Sequence, residues 1–340
     1  MRILVTGATG LIGCHAAARL AQSGHAVRAL VRDADKLRHV LAPFDAGGTV
    51  EARVGDVTDA GSVGAALQGC DGLLHCAGFF SHSLGDSERL RAVNVGGTEC
   101  TLNAASDAGL ARIVFVSSAL ALFPPQGPVL RASDPVSEPT SMYARTKAEA
   151  ERCARALQAK GSPVVIVYPT AVLGPHDPTV GSGPGVMAAA LRSGRVLVTA
   201  GGFPYTDVRD LADLFVAVFA APDPPPRVMA TAEFLTHARY FDLLAEMTGR
   251  TDLNPLRIPA GLLRGLGRVG NLAQRWLGRS TQLTSEAALV LTRSVPAEDR
   301  DARLLLGRDP IPIQDSLRDT IAWMASAGVL GARHAGRLAH

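Results

Sequence analysis

Over the first half of the chain, short runs of β-branched and apolar residues alternate with longer Ala- and Leu-rich segments. That rhythm predicts βαβ units laid on a parallel sheet. Six runs read as strands: Ile3 to Thr6, Ala26 to Val31, Val50 to Val54, Gly72 to Cys76, Arg112 to Ser117 and Val164 to Tyr168. Each is read as nearly free of charge, as strands buried on both faces should be, and six such strands complete a doubly wound sheet. After Tyr168 the rhythm weakens. Pro169, Pro175, Pro178 and Pro184 punctuate the chain, and Pro222 to Pro226 form a stiff linker. Helical patterning is expected near Asp207 to Ala221, Ala238 to Gly249, Ser285 to Arg293 and Ser316 to Ala327. The expected class is α/β. A doubly wound parallel sheet occupies 1–170, and a smaller, mostly helical lobe at 171–330 is interleaved with the last sheet elements and packs over the sheet's mouth. A tail follows at 331–340.

The first strand runs straight into Thr6-Gly7-Ala8-Thr9-Gly10-Leu11-Ile12-Gly13, and an Ala-rich amphipathic segment to Ser23 follows. Strand, glycine turn and helix together form a Rossmann dinucleotide site. Gly7 and Gly10 let the main chain turn tightly and approach a pyrophosphate, Gly13 lets the helix pack on the strand, and the helix N-terminus supplies N–H donors. The second strand ends Ala29-Leu30-Val31-Arg32, without the acid that holds the ribose hydroxyls of NAD. Arg32, helped by Lys36, suits the 2′-phosphate of NADP, because a guanidinium fork matches phosphate geometry. NADP is favoured, while Asp33, one position on, keeps NAD open. Arg28 lies within the strand, where a structural role competes. Asp56, followed by Val57 after the third strand, is placed to accept from the adenine amino group. Helix capping is its alternative role, one that Thr58 or Asp59 would fill equally well.

Ser141-Met142-Tyr143-Ala144-Arg145-Thr146-Lys147 opens a helical pattern that continues past Arg155 and stops at Gly161. Tyr143 and Lys147 therefore stand one turn apart on one face. A phenol with an ordinary pKa near ~10 is mostly protonated at neutral pH, so proton exchange with a substrate hydroxyl needs a nearby cation. Lys147 is placed to be that cation and to hold the nicotinamide ribose. Alone, Tyr-x-x-x-Lys is common on helix surfaces. Here Val116-Ser117-Ser118 ends the fifth strand and brings a hydroxyl to the carboxyl edge of the sheet, where ligands of open α/β folds bind. The expected roles are Ser118 donating to the substrate oxygen, Tyr143 as general acid or base, and Lys147 as its electrostatic partner.

These pieces resemble the extended short-chain dehydrogenase/reductase superfamily (NAD-dependent epimerase/dehydratase family), especially its dihydroflavonol-reductase-like and 3β-hydroxysteroid-dehydrogenase-like branches. The matching residues are Thr6 to Gly13, Gly55-Asp56, His75-Cys76-Ala77-Gly78, Asn94-Val-Gly-Gly-Thr98, Val116-Ser-Ser118, Tyr143-x-x-x-Lys147, Pro169 through Gly174-Pro175, and Asp210-Leu211-Ala212. The resemblance implies a Ser/Tyr/Lys centre with Ala77 and Gly78 lining the cofactor. It also implies Asn94 on the helix behind, Pro169 to Val172 near the nicotinamide, and a homodimer through two helices of each Rossmann domain. Two departures stand out. Tyr168 replaces the arginine common before that proline, and Leu122-Phe123 replaces an aromatic often found after the serine motif. Both bear on substrate identity more than on chemistry.

Composition narrows the picture. The 340 residues are 47% hydrophobic and 19% charged, which suits a folded enzyme and excludes extended disorder. A net charge of +3 without a basic arm argues against nucleic acid. Five scattered cysteines, with no signal peptide and no run long enough to span a bilayer, point to the cytoplasm. Between Arg257 and Arg279 stand five arginines, no acid and several leucines. A lid helix over the pocket, a patch touching anionic lipid and a surface for an acidic substrate compete there, and Gly261, Gly265, Gly267 and Gly270 argue for mobility over a long helix. His75, His82 and His176 match no metal spacing and read as structural, with His75 satisfying backbone groups near the cofactor. The leading expectation is an NADP-dependent reductase or dehydrogenase of a medium-sized, largely apolar carbonyl or alcohol. Behind it stand an epimerase or dehydratase acting on a sugar nucleotide with tightly bound NAD, and a non-catalytic NADP-binding sensor.

Overall fold

All six predicted strands form: β1 (Arg2–Thr6), β2 (Ala26–Val31), β3 (Val50–Val54), β4 (Gly72–His75), β5 (Arg112–Val116) and β6 (Val164–Pro169). The structure, a computed structural model, describes residues 1–81, 84–277 and 284–339. His82 and the end of the basic segment lie outside the described residues. Between the strands run α1 (Leu11–Gln22), α2 (Ala34–Leu41), α3 (Ala60–Leu67), α4 (Ser87–Arg91), α5 (Gly97–Asp107) and α6 (Met142–Ala159). Then come β7 (Ala171–Leu173), α7 (Ser182–Ser193), β8 (Arg195–Val198), β9 (Gly202–Asp207), α8 (Val208–Ala220), β10 (Arg227–Ala230), β11 (Glu233–Thr236), α9 (His237–Thr248) and β12 (Asn254–Arg257). The chain continues through α10 (Ala260–Leu277), α11 (Ser285–Arg293), α12 (Arg300–Leu306), α13 (Ile313–Ser326) and α14 (Ala332–Ala335).

The main sheet has the order β10-β6-β5-β4-β1-β2-β3 and every pairing is parallel. Strand alternation divides its side chains between two cores. Ile3, Val5, Val114, Val116, Val165 and Val167 pack under α1 and α8, whereas Leu4, Ile113, Phe115, Ile166 and Tyr168 pack under α3, α5 and α6. The direction of winding reverses between β1 and β4, which opens a crevice beyond the carboxyl ends of these strands. A third core, including Leu173, Met187, Leu191, Tyr205, Leu244, Leu317 and Ile321, holds the lobe together. Its small sheets are β11-β9-β7, with β9 antiparallel to β11, and the parallel pair β12-β8.

Three expectations need correction. The sheet is not complete with six strands: it has a seventh, β10, and Pro222 to Pro226 lead from α8 into it. Four residues after a proline run carry too little pattern to announce a strand, and β6 supplies the pairing. Secondly, β3 is neither charge-free nor doubly buried. It is the sheet edge, and its Glu51 pairs with Arg28 and Arg53. Arg28, also bonded to the carbonyls of Ala66 and Gln68, is structural. Thirdly, the glycines do not break α10, which runs for 18 residues. At Gly261 and Gly265 a Cβ would meet nothing, so glycine there costs only about 1 kcal/mol of propensity. At Gly267 a Cβ would lie 2.7 Å from the Thr284 carbonyl oxygen. The missing side chain lets α10 seat closely against the start of α11, and this packing with buried Leu263 offsets the poor propensity.

Candidate active site

Backbone geometry shapes one end of the crevice. Gly7 has φ +73°, and a Cβ on it would lie 2.7 Å from the Ala77 nitrogen. A Cβ on Gly13 would lie 2.1 Å from the Gly7 carbonyl oxygen, so α1 can pack against the turn only if residue 13 is glycine. Gly10 differs: its amide bonds to Gly7 C=O, yet a Cβ there would approach no protein atom closer than 3.5 Å. Gly10 is also the N-cap of α1 and offers no side chain, leaving the first amides of the helix open to an anion.

Around this turn lies a cleft of about 1380 Å³. That exceeds the ~300–1,000 Å³ usual for one ligand and leaves space for two. Its wall contains Gly7, Thr9, Gly10, Leu11, Ile12, Arg32, Lys36, Asp56, Val57, Ala77, Gly78, Ser118, Tyr143, Pro169 and Val172. Of the sequence-predicted site residues only Lys147 stays out of the wall, buried behind it. At the end of β2 the carboxylates are already engaged. Asp33 caps α2 by accepting from the Lys36 amide, and Asp35 pairs with Arg38, while Arg32 and Lys36 are exposed. Asp56 accepts from the amide and hydroxyl of Thr58 with one oxygen, and Asp59 caps α3.

Expectation and structure part at His75. Its partners are side-chain hydroxyls, not backbone groups: Nδ1 meets Thr6 Oγ1 at 2.8 Å and Nε2 meets Thr98 Oγ1 at 3.0 Å. Because Thr98 gives its proton to Asn94 C=O, it must accept from His75 Nε2–H, so Thr6 donates to Nδ1 and itself accepts from the Ala77 amide. Burial holds this imidazole neutral, with its pKa pulled down to about 3. Asn94 sits in a π-helical turn, a feature frequent at functional sites, and clamps Phe79 N–H and C=O while donating to Thr146. Together these bonds fix the loop that carries Ala77 and Gly78. His15 and His176 pack with Phe44, and His15 meets the Pro175 carbonyl.

At the other end, β5 delivers Ser117 and Ser118 and the N-terminus of α6 delivers Tyr143. Ser118 Oγ accepts from the Leu120 amide, so its own proton remains available to a ligand oxygen. Burial pushes the Tyr143 phenol up to about 12, and its ring meets Phe80 edge-on. Lys147 Nζ donates to the Val116 carbonyl at 3.0 Å. Burial, only partly opposed by Glu151 and Cys76, pulls its pKa down to about 8. Of the two departures, Tyr168 turns into the α6 core, where it bonds to Glu151 and Arg155, and does not reach the cleft. Phe123 is in the wall.

The sequence reading missed the lobe's contribution. Glu286, in the first turn of α11, accepts from Thr140 N (2.6 Å), Thr140 Oγ1 (3.0 Å), Ser141 Oγ (2.5 Å) and Ser141 N. Ser141 is the N-cap of α6, so a lobe carboxylate holds the start of the helix that carries Tyr143. Phe203, Tyr205, His237 and Tyr240 line the far wall. Thr199 donates to Leu291 C=O and therefore accepts from His237 Nδ1–H, which leaves Nε2 a lone-pair acceptor without a partner among the described residues. A capping-type acid before an apolar run was the only sequence signal for Glu286, and His237 had none.

Known proteins resemble this architecture. The family described as NAD dependent epimerase/dehydratase matches residues 3–230. Sterol demethylase protein B of Methylococcus capsulatus is 32% identical over 97% of this chain and its own full length. A 4-hydroxy-2-methyl-3-oxo-4-farnesyl-3,4-dihydroquinoline-1-oxide ketoreductase of Stigmatella aurantiaca is 35% identical over 52% of each chain. The solved structure of gox2253 superposes with a TM-score of 0.80 at 25% identity, covering 96% of this chain and 99% of that one.

Proposed function

The chain belongs to the NAD dependent epimerase/dehydratase family, and from that premise we propose that it is an NADP-dependent reductase or dehydrogenase of a medium-sized, largely apolar carbonyl or secondary alcohol. The observation that carries this reading is the presence, in the lining of one cleft, of a Ser118 hydroxyl whose oxygen accepts from the Leu120 amide and a Tyr143 phenol held protonated at neutral pH. Two donors suit a carbonyl oxygen that gains negative charge. Lys147 places positive charge behind them. In the oxidising direction the same groups run in reverse, with Tyr143 as the base. When bound, the cofactor would supply the hydride as NADPH or accept it as NADP⁺. The turn from Gly7 to Ile12 would hold its pyrophosphate, Arg32 and Lys36 its 2′-phosphate, Asp56 and Val57 its adenine, and Ala77, Gly78, Pro169 and Val172 its nicotinamide half. Supporting an apolar substrate are the aromatic and aliphatic lobe wall and the names of the sterol and farnesyl-quinoline relatives. The five free thiols fit a reducing cytoplasm.

Titration of cofactor-stripped protein with NADPH and NADH tests the reading. NADPH is expected to bind more tightly, and Arg32→Ala to weaken it by about 10- to 100-fold while leaving NADH nearly unchanged. Preference for NADH, or NAD that resists stripping, would overturn the NADP reading and favour an epimerase or dehydratase working on a sugar nucleotide.

A further inference from the structure

Outside the cleft, α10 has three different sides. Leu263 is buried and Gly267 abuts Thr284, so one side faces α11. Leu262, Leu266, Val269 and Leu272 are 57%, 40%, 63% and 57% exposed. Their spacing of four, then three, then three residues sets them along a second side, an apolar stripe left exposed among the described residues. Arg264 and Arg268, also exposed, are one turn apart on a third side, and exposed Arg257 precedes the helix. The chain has no Asp or Glu between Asp252 and Glu286. Behind α10, α11 supplies Glu286, Ala287, Val290 and Leu291 to the cleft wall.

We propose that α10 is a membrane-docking surface that lies flat on an anionic lipid bilayer, its leucine stripe in the acyl boundary and its arginines at the phosphates. An interfacial helix needs this combination of apolar face, basic flank and low acid content. Arginine stems reach along the apolar side while their guanidinium groups stay at headgroup level. Charge decides between the two candidate occupants. A second copy seated here by two-fold symmetry would bring the same arginines together with no carboxylate from the segment to pair them, whereas an anionic surface neutralises them all. Docking would set the lobe side of the cleft one helix away from hydrocarbon, where an apolar substrate is dissolved.

The test is co-sedimentation of the full-length protein with vesicles of phosphatidylcholine, alone or with one third phosphatidylglycerol, and it uses no substrate. Wild type should pellet with the anionic vesicles and be released by salt. The double variant Leu262→Glu/Val269→Glu, altered only at exposed positions, should bind at least ~10-fold more weakly while keeping its melting temperature and NADPH affinity. Arg264→Glu/Arg268→Glu should lose about 5-fold or more per residue on anionic vesicles. Wild type that stays in solution with both vesicle types would overturn the proposal. So would a stripe variant that pellets like wild type. A wild-type dimer that the stripe variant splits into monomers, by light scattering, would assign the face to a second copy instead. Since the co-sedimentation itself uses neither cofactor nor substrate, and NADPH affinity serves only as a folding control, its failure would leave the reductase reading standing, and the converse holds.

Discussion

At the cofactor end of the cleft, one short stretch of main chain from Gly7 to Gly13 makes the wall and fits because side chains are missing. At the lobe end, Tyr205 of β9, His237 and Tyr240 of α9 and Val290 of α11 come from three elements and fit because of the side chains they bring. The first end is therefore intolerant of an added Cβ at Gly7, which faces Ala77, and at Gly13, which faces the Gly7 carbonyl. The second is expected to tolerate exchange of one apolar group for another and to change its ligand when that happens. The largest effect that could break this contrast comes from Gly13→Ala. With its Cβ 2.1 Å from the Gly7 carbonyl oxygen, the variant should lose about 3 kcal/mol or more of stability and its cofactor binding together. Gly261→Ala, in α10 with open space around the new Cβ, should instead gain up to about 1 kcal/mol. Thermal melts and NADPH titration of both variants decide the matter. Equal, mild effects would mean that the glycine turn is not the close joint described.

Next in size is Tyr143→Phe, which removes the proton but not the ring. Turnover should fall about 10²- to 10⁴-fold with NADPH affinity nearly intact. Normal turnover by this variant would remove the phenol from the mechanism. Glu286→Ala sharpens the contrast from the other side, because it is a lobe residue that acts on the Rossmann half. Losing a carboxylate that accepts four bonds from Thr140 and Ser141 should loosen the start of α6. The expected result is about a 10-fold drop in kcat, with the NADPH dissociation constant and melting temperature little changed. Glu286→Gln, which keeps one carbonyl acceptor, should fall in between. If both variants retain full kcat, the lobe does not position Tyr143.

The difference between the two ends also explains what could be read beforehand. Gly7, Gly13, Ser118 and Tyr143 are set by local spacing: a turn, a strand end and one helical turn. The strands that carry them bury both faces, so their runs were unambiguous, except at β3, where edge position admits Glu51 and Arg53. β10 was missed because four residues after a proline run become a strand only when β6 offers its edge. The unbroken length of α10 was not foreseen because its glycines are judged by what they touch, and a Cβ on Gly267 would meet Thr284. Glu286 and His237 meet their partners across 146 and 38 residues respectively, and no periodicity encodes such a meeting. His75, expected to satisfy backbone groups, instead has hydroxyl partners that only the pairing of β1 with β4 and the packing of α5 bring within reach.

The smallest expected effect concerns acid. His237 in the lobe and His75 under the cofactor loop are both buried as neutral imidazoles, with pKa values pulled down from 6.5 to about 4 and about 3 by burial. In each case the unfolded chain takes up a proton near pH 6.5 while the folded one does not until lower pH. Stability should therefore be intact above pH 6.5 and decline as the pH falls toward 4. Each such group contributes a slope of up to about 1.4 kcal/mol per pH unit within that window. His237→Gln removes one of these slopes and leaves that of His75. Between pH 6.5 and 5.5 its stability should fall by about 1 kcal/mol less than that of wild type, whatever the substitution costs at neutral pH. Urea melts across the range measure the difference directly. An unchanged slope would mean that His237 is already protonated in the folded state, in which case Nε2 would be a donor and the lobe end of the cleft would prefer a ligand carbonyl to a hydroxyl.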